Sequence, residues 1–178
     1  MVINFCGEGC FKIQTSGGTT ILTEGFSGDT SARMKPDIFI RTKGAEPFDK
    51  LRAEHVILGP GEYEIKGIEI RGYPKFVYHL KTEDMELGFM GLTDIKEPAF
   101  DPDVTEKLKD VDILFVYDSV EGAKIVRQLH PHIVISHSGS AANLEKELGK
   151  KAEIMDKLVI KKKEVPAEAI GKLICLKI

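Results

Sequence analysis

The two halves of this chain carry different hydrophobic patterns, and this difference restricts the fold more than any other feature. Up to about residue 90, short apolar runs are separated by turns rich in Gly and Pro, which predicts an almost unbroken series of strands. After residue 102, amphipathic segments with helical spacing alternate with short buried runs. This change of pattern predicts a mixed α/β (α+β) fold in which helices cover a sheet.

The predicted elements follow from apolar periodicity and from the turn residues between the runs. The predicted strands are 2–6, 10–15, 19–23, 37–42, 55–58, two within 59–74, 76–80, 85–90, 112–117, 132–135 and 172–177. The predicted helices are 103–109, with Asp103 as the N-cap, 119–129 and 141–148, with Ser140 as the N-cap.

Length and composition indicate an ordinary globular protein. The 178 residues contain no Pro/Gly/Ser-rich linker, so we expect a single domain spanning 1–178. The net charge of −3 gives no general attraction to nucleic acid or to anionic membranes. Without a signal-like N-terminus or a long apolar run, we expect a cytoplasmic protein. Exposed strand edges leave homo-oligomerisation open.

The cysteines do not indicate a disulfide framework, because the chain has three of them. Cys6 and Cys10 lie four residues apart in a predicted hairpin. Since no second Cys/His pair follows at zinc-finger spacing, they make a poor zinc site, and we interpret them as buried apolar thiols.

Polar residues that follow predicted strands are the candidates for chemistry, because ligands of α/β proteins bind at the carboxyl ends of strands. They are Glu8, Glu24, Lys43, Asp94 and His137. His137 is the best placed, since the apolar run IVIS delivers it directly into a polar loop. If these groups converge, they form a set suited to acid–base chemistry. The alternative is that His137 only satisfies backbone groups of its loop.

A weaker hypothesis concerns the turn formed by Ser138, Gly139 and Ser140. Together with the N-terminus of the following helix, this turn has the character of an anion or phosphate site. Ordinary helix capping by Ser140 explains the same residues.

Several motifs resemble those of the metallo-β-lactamase superfamily, in the same order along the chain. They are GEGCFKIQ, ILTEG, PDIFIRT, GPGEYEIKGIEIRG, FMGLTD, DILFVY and HPHIVISH. The sequence is most similar to small bacterial and archaeal proteins labelled Zn-dependent hydrolases. The resemblance covers essentially the whole chain and implies a four-layer αββα sandwich, with a site between the two sheets at the strand ends.

The metal ligands of that family are mostly replaced. Its THxHxDH signature aligns with residues 42–48, where Thr42 is kept and Lys43, Ala45, Pro47 and Phe48 stand at the ligand positions. The bridging Asp aligns with Leu92, and Asp94 follows two residues later. The segment 74–76 holds no counterpart of the family's next His. Only the last His has a match, which is His137.

The resemblance also suggests what has replaced the metal. Glu8 stands where the family's GHSCF opening has His, and Glu24 stands at the acid of its ILIDP motif. Lys43 would then place an ammonium at a metal-ligand position and pair with Glu8 or Glu24. Exposure of Lys43 to solvent is the alternative.

Two functions remain open at this level. The first is a non-hydrolytic binding or assembly protein without a cofactor, whose ligand is an unknown small molecule or protein. The second is a zinc-dependent hydrolase with an unconventional site around His137, Asp94 and Glu24, to which His79 could contribute, or metal-free acid–base chemistry at Lys43 and His137. His79 lies inside a predicted strand, where a structural role is the alternative.

Overall fold

The structure is a computed structural model that describes residues 1–24, 35–42, 53–91 and 101–178. Within these ranges it contains a six-stranded and an eight-stranded sheet. The six-stranded sheet has the order β13-β1-β2-β3-β4-β5 and consists of β1 (Val2–Gly7), β2 (Cys10–Gln14), β3 (Thr20–Thr23), β4 (Ile38–Ile40), β5 (His55–Ile57) and β13 (Lys157–Val159).

The eight-stranded sheet has the order β12-β14-β11-β10-β9-β8-β7-β6. Its strands are β6 (Gly61–Ile65), β7 (Ile68–Tyr73), β8 (Val77–Thr82), β9 (Met85–Phe89), β10 (Ile113–Val116), β11 (Ile133–Ser136), β12 (Glu153–Met155) and β14 (Lys172–Leu176). The described α-helices are α1 (Pro102–Leu108), α2 (Val120–Leu129) and α3 (Ala142–Leu148). Strands β6 to β9 form an antiparallel meander, and β9, β10, β11 and β14 run parallel.

The two sheets pack face to face because alternate residues of their strands are apolar. In β2 and β10, for example, Phe11 and Phe115 point inward, and their ring centroids lie 4.8 Å apart across the interface. Phe89 stacks on Phe115 with a centroid distance of 4.2 Å. Side chains of both sheets therefore form one continuous buried core.

The helices cover the outer face of the eight-stranded sheet. Val104 and Leu108 of α1 pack there, together with Ala123 and Val126 of α2 and Leu144 of α3. These residues recur at helical spacing, so each helix buries one apolar stripe against the strands. The predicted α/β class with packed sheets is confirmed. No helix in the described ranges is long and apolar enough to cross a bilayer.

The predicted strands and helices are present within two residues of their expected ends where the structure describes them. The prediction of Asp103 as the N-cap of α1 was wrong. Asp101, not Asp103, caps α1 by accepting the Asp103 amide at 3.0 Å, because Pro102 occupies the first helical position. Ala141 stands at the N-cap position of α3, but the hydroxyl of Ser140, one residue earlier, accepts the Ala142 amide at 3.3 Å, so Ser140 caps the helix from just outside the N-cap position.

Candidate functional site

The candidate site lies where four parallel strands end. Strands β3 and β4 pair in parallel in one sheet, and β10 and β11 do so in the other. Glu24 follows β3 and Thr42 lies two residues beyond β4, while Tyr117 and His137 directly follow β10 and β11. Because parallel strands bring their carboxyl ends to one edge of a sheet, each sheet contributes neighbouring polar side chains there.

His137 is the most deeply buried polar group of this site. Its side chain continues the inward alternation of Ile133 and Ile135, and the residue is 2% exposed. The backbone amide of His137 donates to the carbonyl of Val116 at 2.8 Å, which extends the pairing of β10 and β11 by one residue. This bond fixes the direction in which the imidazole enters the core.

Aromatic rings surround the imidazole. The centroids of Phe11 and Tyr117 both lie 5.5 Å from that of His137, and the centroid of Phe115 lies 6.3 Å away. Both ring nitrogens of His137 are buried without a hydrogen-bond partner in the described part of the chain. An unpaired buried polar atom costs about 1 to 3 kcal/mol, so the two nitrogens mark a place where a partner would stabilise the protein.

Burial also keeps this imidazole uncharged. It lowers the pKa of His137 from 6.5 to about 3, a shift that the nearby backbone carbonyl of Phe115 opposes. At neutral pH His137 therefore offers one N–H donor and one unprotonated nitrogen acceptor. The predicted role of satisfying loop backbone groups does not account for the ring nitrogens. The backbone group that acts on the ring, the carbonyl of Phe115, belongs to β10 and not to the loop, and its geometry falls short of a hydrogen bond to either nitrogen.

Glu24 is the buried carboxylate of the site. It is 1% exposed and adopts a left-handed backbone conformation with φ of 57°. Its Oε2 accepts the backbone amide of Thr42 at 3.1 Å and the Thr42 hydroxyl at 3.4 Å. Its own amide donates to the carbonyl of Ile40 at 2.9 Å. These contacts attach the carboxylate to the end of β4.

The charge of this carboxylate acts on two tyrosine hydroxyls. Burial, followed by the negative charge of Glu24, raises the pKa of Tyr117 to about 12. Burial also raises the pKa of Tyr78 to about 12, with Tyr63 and Glu24 raising it further and Arg41 opposing. Both phenols are therefore neutral donors at physiological pH. Tyr117 links the site, because its ring contacts His137 and its hydroxyl responds to the charge of Glu24.

Of the other predicted site residues, the two that the structure describes, Glu8 and His79, are not among the buried groups of this cluster. Glu8 is exposed in the turn between β1 and β2, with φ of 51°. His79 lies on β8 between the inward-facing Tyr78 and Leu80, so it points to the opposite face and contacts Glu86 at 3.1 Å. His79 therefore cannot join His137 in one site, and the structural alternative holds. Lys43 and Asp94 lie outside the described residues, so the Lys43 ion pair stays a prediction.

The Ser138 to Ser140 turn does not offer an open helix N-terminus. The carboxylate of Asp118 accepts the amides of Asn143 at 2.8 Å and Leu144 at 2.9 Å. The hydroxyl of Ser140 donates to the same carboxylate at 3.0 Å. The position where an anion would bind is therefore filled by a side chain of the protein itself, and the anion-site hypothesis was wrong.

The described residues do not fit the zinc ion that the sequence resemblance implies. Zinc needs three or four ligands at about 2.0 to 2.3 Å. Across residues 1–24, 35–42, 53–91 and 101–178, no three His, Cys, Asp or Glu side chains lie close enough to share a metal. All five histidines of the sequence fall in these ranges, and His137 is the one at the ends of β10 and β11. A multi-histidine centre is therefore excluded here by the donor set.

Comparison with known proteins gives the fold. No family model matches the sequence, and no curated protein matches it significantly. Among solved structures, a protein from Thermotoga maritima named as a Zn-dependent hydrolase of the metallo-β-lactamase superfamily has a TM-score of 0.77 and 20% identity, over 100% of both chains.

Two further structures agree. A protein from Parabacteroides distasonis named as a metal-dependent hydrolase has a TM-score of 0.61 and 15% identity, over 98% of this chain and 91% of that one. Igni18, a metallo hydrolase from Ignicoccus hospitalis, has a TM-score of 0.55 and 10% identity, over 90% and 99%. These likenesses concern the fold, and they confirm the fold predicted from the sequence.

Proposed function

We propose that this protein, which has the metallo-β-lactamase fold, is a non-hydrolytic binding protein whose site is the cluster around His137. The ligand is a small uncharged molecule that carries both a hydrogen-bond donor and an acceptor, as an amide does. The observation that carries the proposal is that the two buried ring nitrogens of a neutral His137 have no hydrogen-bond partner among the described residues.

The two ring nitrogens of His137 need hydrogen-bond partners that the folded protein does not supply within the described residues. Folding strips water from both ring nitrogens, and the neighbouring rings of Phe11, Phe115 and Tyr117 supply no compensating bond. An amide ligand that donates to the unprotonated nitrogen, or accepts from the N–H, recovers part of this loss on binding. A site built in this way also rejects analogues that lack the matching group, because they leave the buried nitrogen unpaired.

The absence of a charged imidazole supports the choice of an uncharged ligand. With its pKa near 3, His137 does not provide a cation for an anionic substrate at neutral pH. The negative charge of Glu24 nearby disfavours an anion further. Tyr117 is 37% exposed, so the cluster reaches the protein surface at this residue.

The donor set supports a non-hydrolytic role. Water activation in this kind of fold would use a metal held by several imidazoles and carboxylates. The described residues hold no such set.

The second candidate is a metal-dependent hydrolase with an unconventional site around His137, Asp94 and Glu24. One observation favours it: the unprotonated ring nitrogen of His137 and the carboxylate of Glu24 lie at neighbouring strand ends.

A nitrogen-resolved NMR titration tests the proposal. Acetamide, N-methylurea and acetone, which has an acceptor but no donor, are added to ¹⁵N-histidine-labelled protein, and the ring resonances of His137 are followed; binding to His137→Leu is followed by the backbone amide resonances of uniformly ¹⁵N-labelled protein. We expect the two amide-type probes to shift the ring resonances and to lose binding in His137→Leu, with acetone weaker. His79→Leu, on the opposite face, is the control that keeps binding.

The contrary result is equally clear. If none of the probes moves the His137 resonances, while added zinc moves them and confers hydrolysis of a chromogenic phosphodiester or β-lactam, the protein is a hydrolase and the binding role is wrong.

A further inference from the structure

Two of the three cysteines meet in the hairpin of β1 and β2. Phe5 pairs with Phe11 across the hairpin and Gly7 pairs with Cys10, with an irregular register between the two pairs. Cys6 is therefore the extra residue of a β-bulge, and both Cys6 and Gly7 stand opposite Cys10. The bulge brings the two thiol-bearing residues next to each other although four positions separate them in sequence.

Both thiols lie on the same face of the sheet. Phe5 and Phe11 point into the core between the sheets, so Cys6 and Cys10 point to the outer face. There Cys10 is completely buried with Leu22 and Phe39, and the half-buried Cys6 packs on this cluster.

Adjacent strands lie about 4.8 Å apart. A disulfide spans about 4.4 to 6.8 Å between Cα atoms, so the hairpin geometry permits the bond without moving the strands.

The two thiols differ in access and in acidity. A hydrogen bond from the Cys10 thiol lowers the pKa of Cys6 to about 7, with burial opposing and the backbone and ammonium of Lys12 assisting. At neutral pH a substantial fraction of Cys6 is therefore thiolate, and Cys6 is only partly buried, whereas Cys10 is enclosed. Reactive sensor cysteines have this combination of an accessible thiolate beside a second, resolving thiol.

Cys175 has the opposite character. It is a buried thiol near the carbonyl of Ser138, and burial raises its pKa. A protonated buried thiol is a poor nucleophile, so Cys175 serves as an internal control for any chemistry at the hairpin.

We propose that Cys6 and Cys10 form a redox modification site that a hydroperoxide converts reversibly into an intramolecular disulfide. The Cys6 thiolate attacks the peroxide oxygen, its O–O bond breaks, and the leaving oxygen takes a proton, which gives Cys6 sulfenic acid and water (or an alcohol). The Cys10 sulfur then attacks the Cys6 sulfur, the S–S bond forms, the S–O bond of the sulfenic acid breaks, and its hydroxyl leaves as water with the Cys10 proton. The peroxide gains two electrons and the two thiols lose them. An external dithiol restores the two thiols by thiol–disulfide exchange and is itself oxidised to a disulfide.

This site is independent of the His137 cluster, because its thiols face away from the core between the sheets. Failure of the redox proposal would therefore leave the proposed binding function untouched, and failure of the binding function would leave the redox proposal untouched.

Intact-mass spectrometry of the full chain tests it. The reduced protein is treated with hydrogen peroxide under native conditions, remaining thiols are blocked with N-ethylmaleimide, and peptides are mapped. We expect wild type to lose the mass of two hydrogen atoms and to retain one blockable thiol, Cys175. Dithiothreitol should restore all three thiols, and the rate should not depend on protein concentration.

Variants identify the roles of the two sulfurs. Cys175→Ser should behave as wild type, Cys10→Ser should accumulate a Cys6 sulfenic acid that dimedone traps, and Cys6→Ser should remain reduced at Cys10. The wild-type measurement decides the matter even if a variant fails to fold. Three blockable thiols after peroxide, oxidation first at Cys175, or a disulfide between two chains would overturn the proposal.

Discussion

Replacing His137 by Leu should stabilise the protein, and by an amount that depends on pH. Leucine is close to histidine in volume and would fill the same aromatic surroundings, so packing losses should be small. It removes two buried nitrogens that have no hydrogen-bond partner in the part of the chain that the structure describes. Since each such atom costs about 1 to 3 kcal/mol, partly offset by imperfect packing, we expect a net gain of about 1 to 3 kcal/mol in the free energy of unfolding at pH 7.5.

The pH dependence follows from the pKa of His137. This pKa is about 3 in the folded protein and returns to about 6.5 on unfolding. Between these values the unfolded chain binds the proton and the folded protein does not, so wild-type stability falls as the pH falls below about 6.5. With a full slope of about 1.4 kcal/mol per pH unit, the loss between pH 7.5 and 5.0 is about 2 kcal/mol. The Leu variant lacks this loss.

Urea denaturation of both proteins from pH 4.5 to 8.0 measures the difference. His137→Gln is the matched control: it keeps a buried donor and acceptor but cannot titrate. It should match wild type at pH 7.5 and exceed it by about 2 kcal/mol at pH 5.0. If the stability curves of wild type and His137→Leu run parallel, or if Leu destabilises the protein at every pH, the imidazole is not buried and neutral as described.

Three further predictions concern the metal, the carboxylate and the fold. A chelator should leave the melting temperature unchanged, because a metal that is not bound contributes no linkage stabilisation; a fall of several degrees in a thermal scan would contradict this. Thr42→Val should cost about 1 kcal/mol in urea denaturation, since it removes only the hydroxyl bond to Glu24 at 3.4 Å and keeps the amide bond, and an unchanged midpoint would count against that contact. Gly91→Ala should lower the free energy of unfolding by about 1 to 3 kcal/mol, because a Cβ there would lie 2.5 Å from the carbonyl oxygen of Lys75 and 2.6 Å from that of Phe76. In the control Gly59→Ala the new Cβ meets nothing within 4 Å, so the free energy of unfolding should not change. Equal effects of the two substitutions would refute the packing argument.

Local sequence signals were sufficient for most of the described strands and for His137. The run IVIS ends at His137 and β-branched residues dominate it, so its strand and the polar loop after it were both readable. Tyr117 was missed as a site residue although its signal was present. It follows DILFV and lies two residues after Phe115, so its side chain points to the same face of the sheet as that of Phe115. The strand before it is the neighbour of the strand before His137. Counting alternation one residue past the strand would have placed it beside the imidazole.

Strands β12 and β13 were missed for a different reason. Their segments are three residues each and show no regular alternation of apolar and polar residues. They pair with β14 and β1, which are distant in sequence, so their conformation depends on tertiary partners. The capping of α3 by Asp118 is similar, because the carboxylate lies 25 residues before Asn143 and no local motif announces it.

The zinc content of the purified protein tests the central claim most directly. Protein prepared without chelator is analysed for metals by elemental analysis, together with His137→Leu. We expect less than about one tenth of an equivalent of zinc in both, because a tight site needs three or four ligands and the described residues gather no such set. About one equivalent or more in the wild type, lost in His137→Leu, would contradict the claim and establish a metal centre at His137.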